Sequence, residues 1–167
     1  MSLQLGLPLF ALAAVVQGAV LSHLRVFGGQ PDLIVVLVIA WSILDRDREG
    51  IVWAFVGGLF VDLFSGAPLG LSSLALLPIS LVVALTEAQV YRTNVILPLA
   101  LVAAGALAYH AAYLLLLRFF AGVAVPWSEA VGYVTLPSVM FDVLLIIPAL
   151  RMLDGLYTRL HPRQTTI

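Results

Sequence analysis

Long apolar runs, separated by short polar connections, most constrain the fold of this 167-residue chain. Three of them, Leu3–Leu24, Asn94–Phe120 and Gly132–Tyr157, reach the roughly 20 residues that a helix needs to cross a bilayer. Hydrophobic residues make up 62% of the sequence and charged residues only 10%, whereas a soluble domain is about half apolar and about a quarter charged. We therefore expect an all-α integral membrane protein, with residues 1–167 in a single polytopic domain.

The segment 31–86 is harder to divide into membrane spans. Its apolar stretches, at 33–44, 51–64 and 69–85, alternate with polar turns. Each would give a helix of only about 20 Å, against a hydrocarbon core of roughly 30 Å. Two of the stretches could be re-entrant, and five spans in all is an open alternative. We favour three short or tilted spans, which gives six transmembrane helices, because flanking residues can snorkel or the bilayer can thin.

The arginines favour an even number of spans with both termini in the cytoplasm. In that arrangement only two arginines, Arg25 and Arg118, face outward. The positive-inside rule places the other six on the cytoplasmic side. These six are Arg46, Arg48, Arg92, Arg151, Arg159 and Arg163.

Composition excludes several kinds of function. A net charge of −1 gives no electrostatic footprint for nucleic acid. The absence of cysteine excludes disulfides, thiolate metal sites and a cysteine nucleophile. The polar connections are too short to fold as separate domains, so we expect the helices and a few loop residues to carry the function.

A carboxylate and a glycine-rich turn interrupt the apolar middle in the sequence DLFSGAPLG, residues 62–70. Small residues and the aspartate recur every four positions, at Ala54, Gly58 and Asp62, and so share one helix face. Small residues on such a face let another helix approach closely. Gly66 and Gly70 are suited to positive φ in the turn. Because an ionised carboxylate in hydrocarbon is costly, we expect Asp62 to be held by hydrogen bonds within its turn or to a neighbouring helix.

Three further polar residues, Gln17, His110 and Asp142, lie inside predicted spans. We interpret Gln17 and His110 as packing groups between helices, since a metal site would need more ligands than one histidine. An aspartyl intramembrane protease would need Asp62 and Asp142 in contact, and the glycine motifs of such enzymes are missing. The sequence therefore predicts no catalytic, cofactor-binding or metal-binding residues.

Ordered motifs over residues 31–76 resemble the MreD family of rod shape-determining proteins. PDLIVVLVIAWSIL at 31–44 is similar to the family's Pro-Asp-Leu opening of an apolar helix. REGIVWAFVGGLFVDLFSGAPLGLSSLAL at 48–76 is similar to its central signature. The matching positions within that signature are Gly57, Gly58, Asp62, Pro68, Leu69 and Gly70. Beyond residue 90 only the pattern of helices matches.

The resemblance implies a non-enzymatic membrane scaffold of the bacterial cell-elongation machinery, the elongasome, which organises lateral peptidoglycan synthesis and rod cell shape. It implies a multi-pass protein of the inner (cytoplasmic) membrane that uses no cofactor. The implied partners are the membrane helix of MreC, the actin-like MreB, the polymerase RodA, a class B penicillin-binding transpeptidase and membrane lipid. The face that meets MreC and the formation of a homo-oligomer are left open.

The family's fold is also similar to the six-helix substrate-binding subunits of energy-coupling-factor transporters, so a small-molecule-binding transporter subunit is the alternative. The scaffold hypothesis predicts that polar groups serve helix contacts and that no enclosed pocket holds a small molecule. The transporter hypothesis predicts a pocket near the outer face with convergent polar side chains. The residues available for such a pocket are Gln17, Ser72, Ser73, His110 and Asp142.

Overall fold

The computed structural model describes residues 3–23, 28–44, 49–85, 96–122 and 126–160, and the regular elements within these residues are all helices. The longer helices are α1 (Leu3–Ala19), α2 (Leu33–Leu44), α3 (Glu49–Ser65), α4 (Leu71–Ala84), α5 (Ile96–Ala121) and α7 (Leu136–Leu160). A 3₁₀ turn, Leu21–His23, follows α1. The one-turn helix α6 (Trp127–Glu129) and a π-helix, Ala130–Thr135, lead into α7.

Within the described residues, three helical stretches are long and apolar enough to cross a membrane, namely Gly6–His23, Ile96–Ala121 and Trp127–Leu156. They correspond to the three long spans that the sequence predicts, with ends shifted by a few residues. Leu33–Leu44 and Leu71–Ala84 are shorter apolar helices. The all-helical fold is therefore that of a membrane-embedded protein. Most of the arginines used to predict the orientation lie outside the described residues. These are Arg25, Arg46, Arg48, Arg92 and Arg163.

Helix α2 is the centre of the molecule. Ten of its twelve residues, Ile34 through Ile43, are buried, and it contacts α1, α3, α4, α5 and α7. A helix that is apolar on every side is stable when other elements enclose it. Its length of about 18 Å does not have to match the bilayer, because its neighbours cover it. Enclosure thus accommodates this short apolar run without the snorkelling that the sequence analysis invokes.

Helices α3 and α4 pack with their backbones in contact. A Cβ atom on Gly58 would collide with the backbone N and Cα of Ser73. The Ser73 hydroxyl donates a hydrogen bond of 2.7 Å to the carbonyl of Phe55. Ala54, Gly58 and Asp62 are all buried, so the small-residue stripe is covered within the chain and offers no free surface to a partner helix.

Hydrogen bonds between different helices cluster at one end of the bundle, which we call the polar end. The side chain of Gln17, late in α1, meets Ile34 at the start of α2. Asp62, late in α3, meets Ser72 at the start of α4. Tyr109 on α5 donates to the Ser72 hydroxyl at 3.3 Å. The ends of α1 and α3 and the starts of α2 and α4 therefore lie at this end, so these four helices alternate in direction along the bundle.

Candidate functional site

Asp62 holds the start of α4. Its Oδ2 accepts a hydrogen bond from the backbone N–H of Gly70 at 2.7 Å, and its Oδ1 accepts one from that of Ser72 at 3.1 Å. The residue is only 1% exposed. The first N–H groups of a helix lack partners within the helix and carry partial positive charge, so a buried carboxylate is favourable there. These are the hydrogen bonds that the sequence predicts for Asp62.

The turn between α3 and α4 has positive φ angles at the two glycines where the sequence predicts them. Gly66 has a φ of +70° and Gly70 a φ of +94°, in the left-handed region that glycine adopts most easily. Pro68 and Leu69 lie exposed at the tip of the turn, whereas Gly57 is buried against side chains of α1 and α2. The motif residues thus shape the turn and pack its helices, and recognition of the exposed tip by a partner stays a prediction.

A second polar cluster surrounds Asp32, the residue before α2. The Gln17 Nε2 donates a hydrogen bond to Asp32 Oδ1 at 3.0 Å, and Gln17 Oε1 accepts one from the backbone N–H of Ile34 at 3.0 Å. Asp32 Oδ2 lies 3.1 Å from His110 Nε2 on α5. This is a close contact without the alignment of a hydrogen bond. A buried carboxylate therefore joins α1, α2 and α5.

Asp142 on α7 completes the cluster. Its Oδ1 accepts a hydrogen bond from the backbone N–H of Asp32 at 2.8 Å. Its Oδ2 has no hydrogen-bond partner among the described residues, although the side chain is fully buried. Asp32, His110 and Asp142 each offer a donor atom within 4.8 Å of the others. Carboxylate and imidazole groups in this number are a ligand set for a divalent metal ion.

A cavity of about 460 Å³ adjoins this cluster at the polar end. Its polar lining residues are Gln17, Ser22, Gln30, Asp32, Ser65, Tyr109, His110, Tyr113, Thr135 and Ser138. Gly28 and Phe64 are exposed parts of its wall, whereas Asp32 and Tyr109 are buried. The volume lies within the range of about 300–1,000 Å³ that small-molecule sites occupy. The cavity therefore has room for a small ligand beside the ionisable side chains of Asp32 and His110.

The scaffold hypothesis expects that no enclosed pocket holds a small molecule, and the presence of this partly open cavity leaves that expectation a prediction. Of the residues that the alternative names for its pocket, Gln17 and His110 line the cavity. Asp142 lies beside the lining residue Asp32, whereas Ser73 bonds to α3 instead. His110, interpreted from the sequence as a satisfied packing group, faces both the cavity and a carboxylate.

Asp32 is a site residue that the sequence does not reveal, because there it is only part of a Pro-Asp-Leu motif. Its position before an apolar run is a helix-start signal, which explains it without any function. The sequence feature that could have indicated the cluster is the similar depth of its residues in the predicted membrane topology. Gln17, His110 and Asp142 lie in the halves of their helices that the predicted topology turns outward, and Asp32 directly precedes the outer end of α2. Asp62 and Asp142 bond to different partners, so the carboxylates that come together are Asp32 and Asp142.

A family model described as rod shape-determining protein MreD matches residues 2–158 of the chain. The matched region includes both the Asp62 turn and the Asp32 cluster. No curated protein and no solved structure matches the chain.

Proposed function

The chain belongs to the MreD family of rod shape-determining proteins, and from this premise we propose that it is a non-enzymatic membrane scaffold of the elongasome. The family match, which covers nearly the whole chain, is the observation that carries the proposal. Membership implies a role in rod shape determination. The finer assignment is that the protein helps to organise lateral peptidoglycan synthesis beside MreB, RodA and a class B penicillin-binding transpeptidase.

The proposed placement is in the inner membrane, with six spans and both termini in the cytoplasm. The alternating directions of α1 to α4 are those of consecutive crossings, and the two long apolar helices α5 and α7 bring the proposed number to six. The short helices α2, α3 and α4 would cross as parts of a bundle in which α2 is enclosed by its neighbours. With this orientation the polar end and its cavity face away from the cytoplasm.

The proposed partner is the membrane helix of MreC. Helices associate in lipid through close packing and polar contacts, and the Ala54–Gly58–Asp62 stripe is already covered within the chain. The MreC helix would therefore dock on an apolar face at the lipid-exposed surface of the bundle. Each of the longer helices except α2 carries exposed large apolar side chains that are suited to this.

A co-purification experiment tests this function. The protein should co-purify in mild detergent with an MreC that lacks its periplasmic domain but keeps its membrane helix and adjoining linker. Replacement of that helix by an unrelated one of equal length is the matched control and should abolish the complex. Wild-type yield after the replacement would reject a membrane-helix interface and would favour the loops at 25–32 and 120–131.

The cavity favours a second candidate, a small-molecule-binding membrane subunit of the energy-coupling-factor type. Its volume and its polar residues Gln17 and His110 are what that function requires. The same co-purification distinguishes the two candidates, because a transporter subunit would bind a transport partner and would not retain MreC.

A further inference from the structure

The donor atoms of the Asp32 cluster are arranged as those of a metal site. Asp32 Oδ1 is engaged by Gln17, which leaves Oδ2, and Asp142 Oδ1 is engaged by the backbone N–H of Asp32, which leaves Oδ2. His110 Nε2 makes no aligned hydrogen bond within the described residues. From this pattern we propose that Asp32, His110 and Asp142 bind one divalent transition-metal ion, for which Zn²⁺ is the best-suited species.

The surrounding hydrogen bonds are of the kind that orient metal ligands. Ligating carboxylates in metal sites are themselves held by hydrogen bonds from other groups. Here one oxygen of each carboxylate is held and the other is left for the ion. Gln17 is in turn anchored by the backbone N–H of Ile34, so the start of the central helix α2 fixes the ligand positions.

The distances suit a single ion. Two donors bound to one tetrahedral ion with bonds of about 2.0–2.1 Å lie roughly 3.3 Å apart. Asp32 Oδ2 and His110 Nε2 are 3.1 Å apart, close to that value. The full set of donors falls within 4.8 Å, so binding would draw the most distant pair together by up to about 1.5 Å, within reach of a carboxylate rotation. The fourth position would open towards the cavity, which supplies a route for the ion.

Charge and burial favour a compact cation over an organic ammonium group. Two adjacent buried carboxylates repel each other unless a cation or a proton lies between them. The described cavity wall contains no arginine to serve as that cation. Asp32 is 6% exposed and Asp142 is fully buried, and their donor atoms lie within 4.8 Å of each other, a separation that one small ion can bridge. An imidazole among oxygen ligands favours Zn²⁺ or a similar ion over Mg²⁺ and Ca²⁺, which prefer oxygen alone.

Metal titration of the full chain tests the site. The protein is purified in detergent with a tag that contains no histidine, stripped with a chelator and titrated with Zn²⁺. We expect one ion per chain by elemental analysis, together with a rise in the thermal unfolding midpoint. His110→Gln and Asp142→Asn should each weaken binding at least about tenfold. His23→Gln, at an exposed histidine after α1, is the matched control and should leave binding unchanged.

X-ray absorption at the zinc edge should show nitrogen and oxygen donors, with no sulfur because the chain has no cysteine. The site is refuted if folded wild-type protein binds no more Zn²⁺ than the double variant of His110→Gln and Asp142→Asn. Equal weakening by His23→Gln, or Mg²⁺ binding as tight as Zn²⁺ binding, would also overturn the assignment. Should a variant fail to fold, the stoichiometry and spectrum of the wild type decide. Retention of MreC is measured separately, so failure of the metal site leaves the scaffold proposal intact.

Discussion

The side chains of Asp62 and Asp32 each lie at the start of a helix in this protein, but they differ in whether their carboxylate oxygens are used by the backbone of that helix. Asp62 uses both oxygens on backbone amides at the start of α4, so its bonding capacity serves the fold. Asp32 starts α2 through its backbone carbonyl, which accepts from Val36 at 3.1 Å. Its side chain turns instead to Gln17 and His110. Asp62 is thus bonded to the backbone at the start of α4, whereas the side chain of Asp32 lines the cavity.

The first residue-scale prediction concerns Asp62. Asp62→Ala should lower the free energy of unfolding by roughly 1–3 kcal/mol, because it leaves buried amides unpaired. Asp62→Asn should fall between the wild type and Ala. Its single carbonyl oxygen can replace only one of the two acceptors, and its NH₂ group would face a donor. Unfolding in mixed detergent micelles measures the change.

Hydrogen exchange at the Gly70 and Ser72 amides checks the cause, since these amides should exchange faster in Asp62→Ala. Glu129→Gln, at an exposed carboxylate on α6, is the control and should change neither quantity. If Asn proved as harmful as Ala while the two amides stayed protected, the charge of Asp62 would serve something other than the start of α4.

At the scale of elements, the closeness of helix contacts depends on the positions of glycines, which have no side chain to separate two backbones. Gly58 lets α3 and α4 touch through their backbones. The π-helix Ala130–Thr135 adds a different irregularity, since its wider turn lies directly before α7 and lines the cavity through Ala130, Val134 and Thr135. Such π-turns are often found at functional sites. Gly29 packs against Pro137 and Ser138 just beyond it, which ties the segment before α2 to the start of α7.

The element-scale prediction is that Gly58→Ala destabilises the fold. The added Cβ collides with backbone atoms of Ser73, which cannot rotate away as a side chain can, so α3 and α4 must separate. We expect a loss of roughly 1–3 kcal/mol, the usual cost of overpacking. Gly132→Ala is the matched control, because a Cβ there meets nothing within 4 Å. Equal stability of the two variants, measured by thermal unfolding in one detergent, would contradict the close contact.

At the scale of the whole molecule, the enclosed helix α2 organises the bundle and sets the cavity at one end. The buried cluster, the exposed tip of the Asp62 turn and α6 all belong to this polar end. The proposed orientation would turn that end away from the cytoplasm. A ligand or ion would then reach the cavity from the periplasmic side, whereas the cytoplasmic partners would meet the opposite end.

Cysteine labelling tests this orientation, and the absence of native cysteine makes the background clean. Ser128→Cys, at an exposed position of α6, should react with an impermeant thiol reagent applied to intact cells. Asp47→Cys and Gln89→Cys, whose positions lie outside the described residues, should react only after the membrane is permeabilised. Gly28 is a poor choice for this test, because its φ of +88° and a Cβ position 2.7 Å from the Tyr133 carbonyl oxygen make any side chain strained. Labelling of Gln89→Cys but not Ser128→Cys in intact cells would reverse the proposed topology.

The sequence by itself determined the membrane class, the three long helices, the hydrogen-bonded turn at Asp62 and the family, because these depend on local hydrophobicity, spacing and ordered motifs. Only the tertiary structure decided that α2 is enclosed on every side, that α4 covers the small-residue stripe and that Asp32 lies beside His110 and Asp142. The physical reason is that helical periodicity states which residues share a face but not which helix covers it. Asp32 and Asp142 are 110 residues apart along the chain, and only the packing of α2 against α7 brings their side chains together.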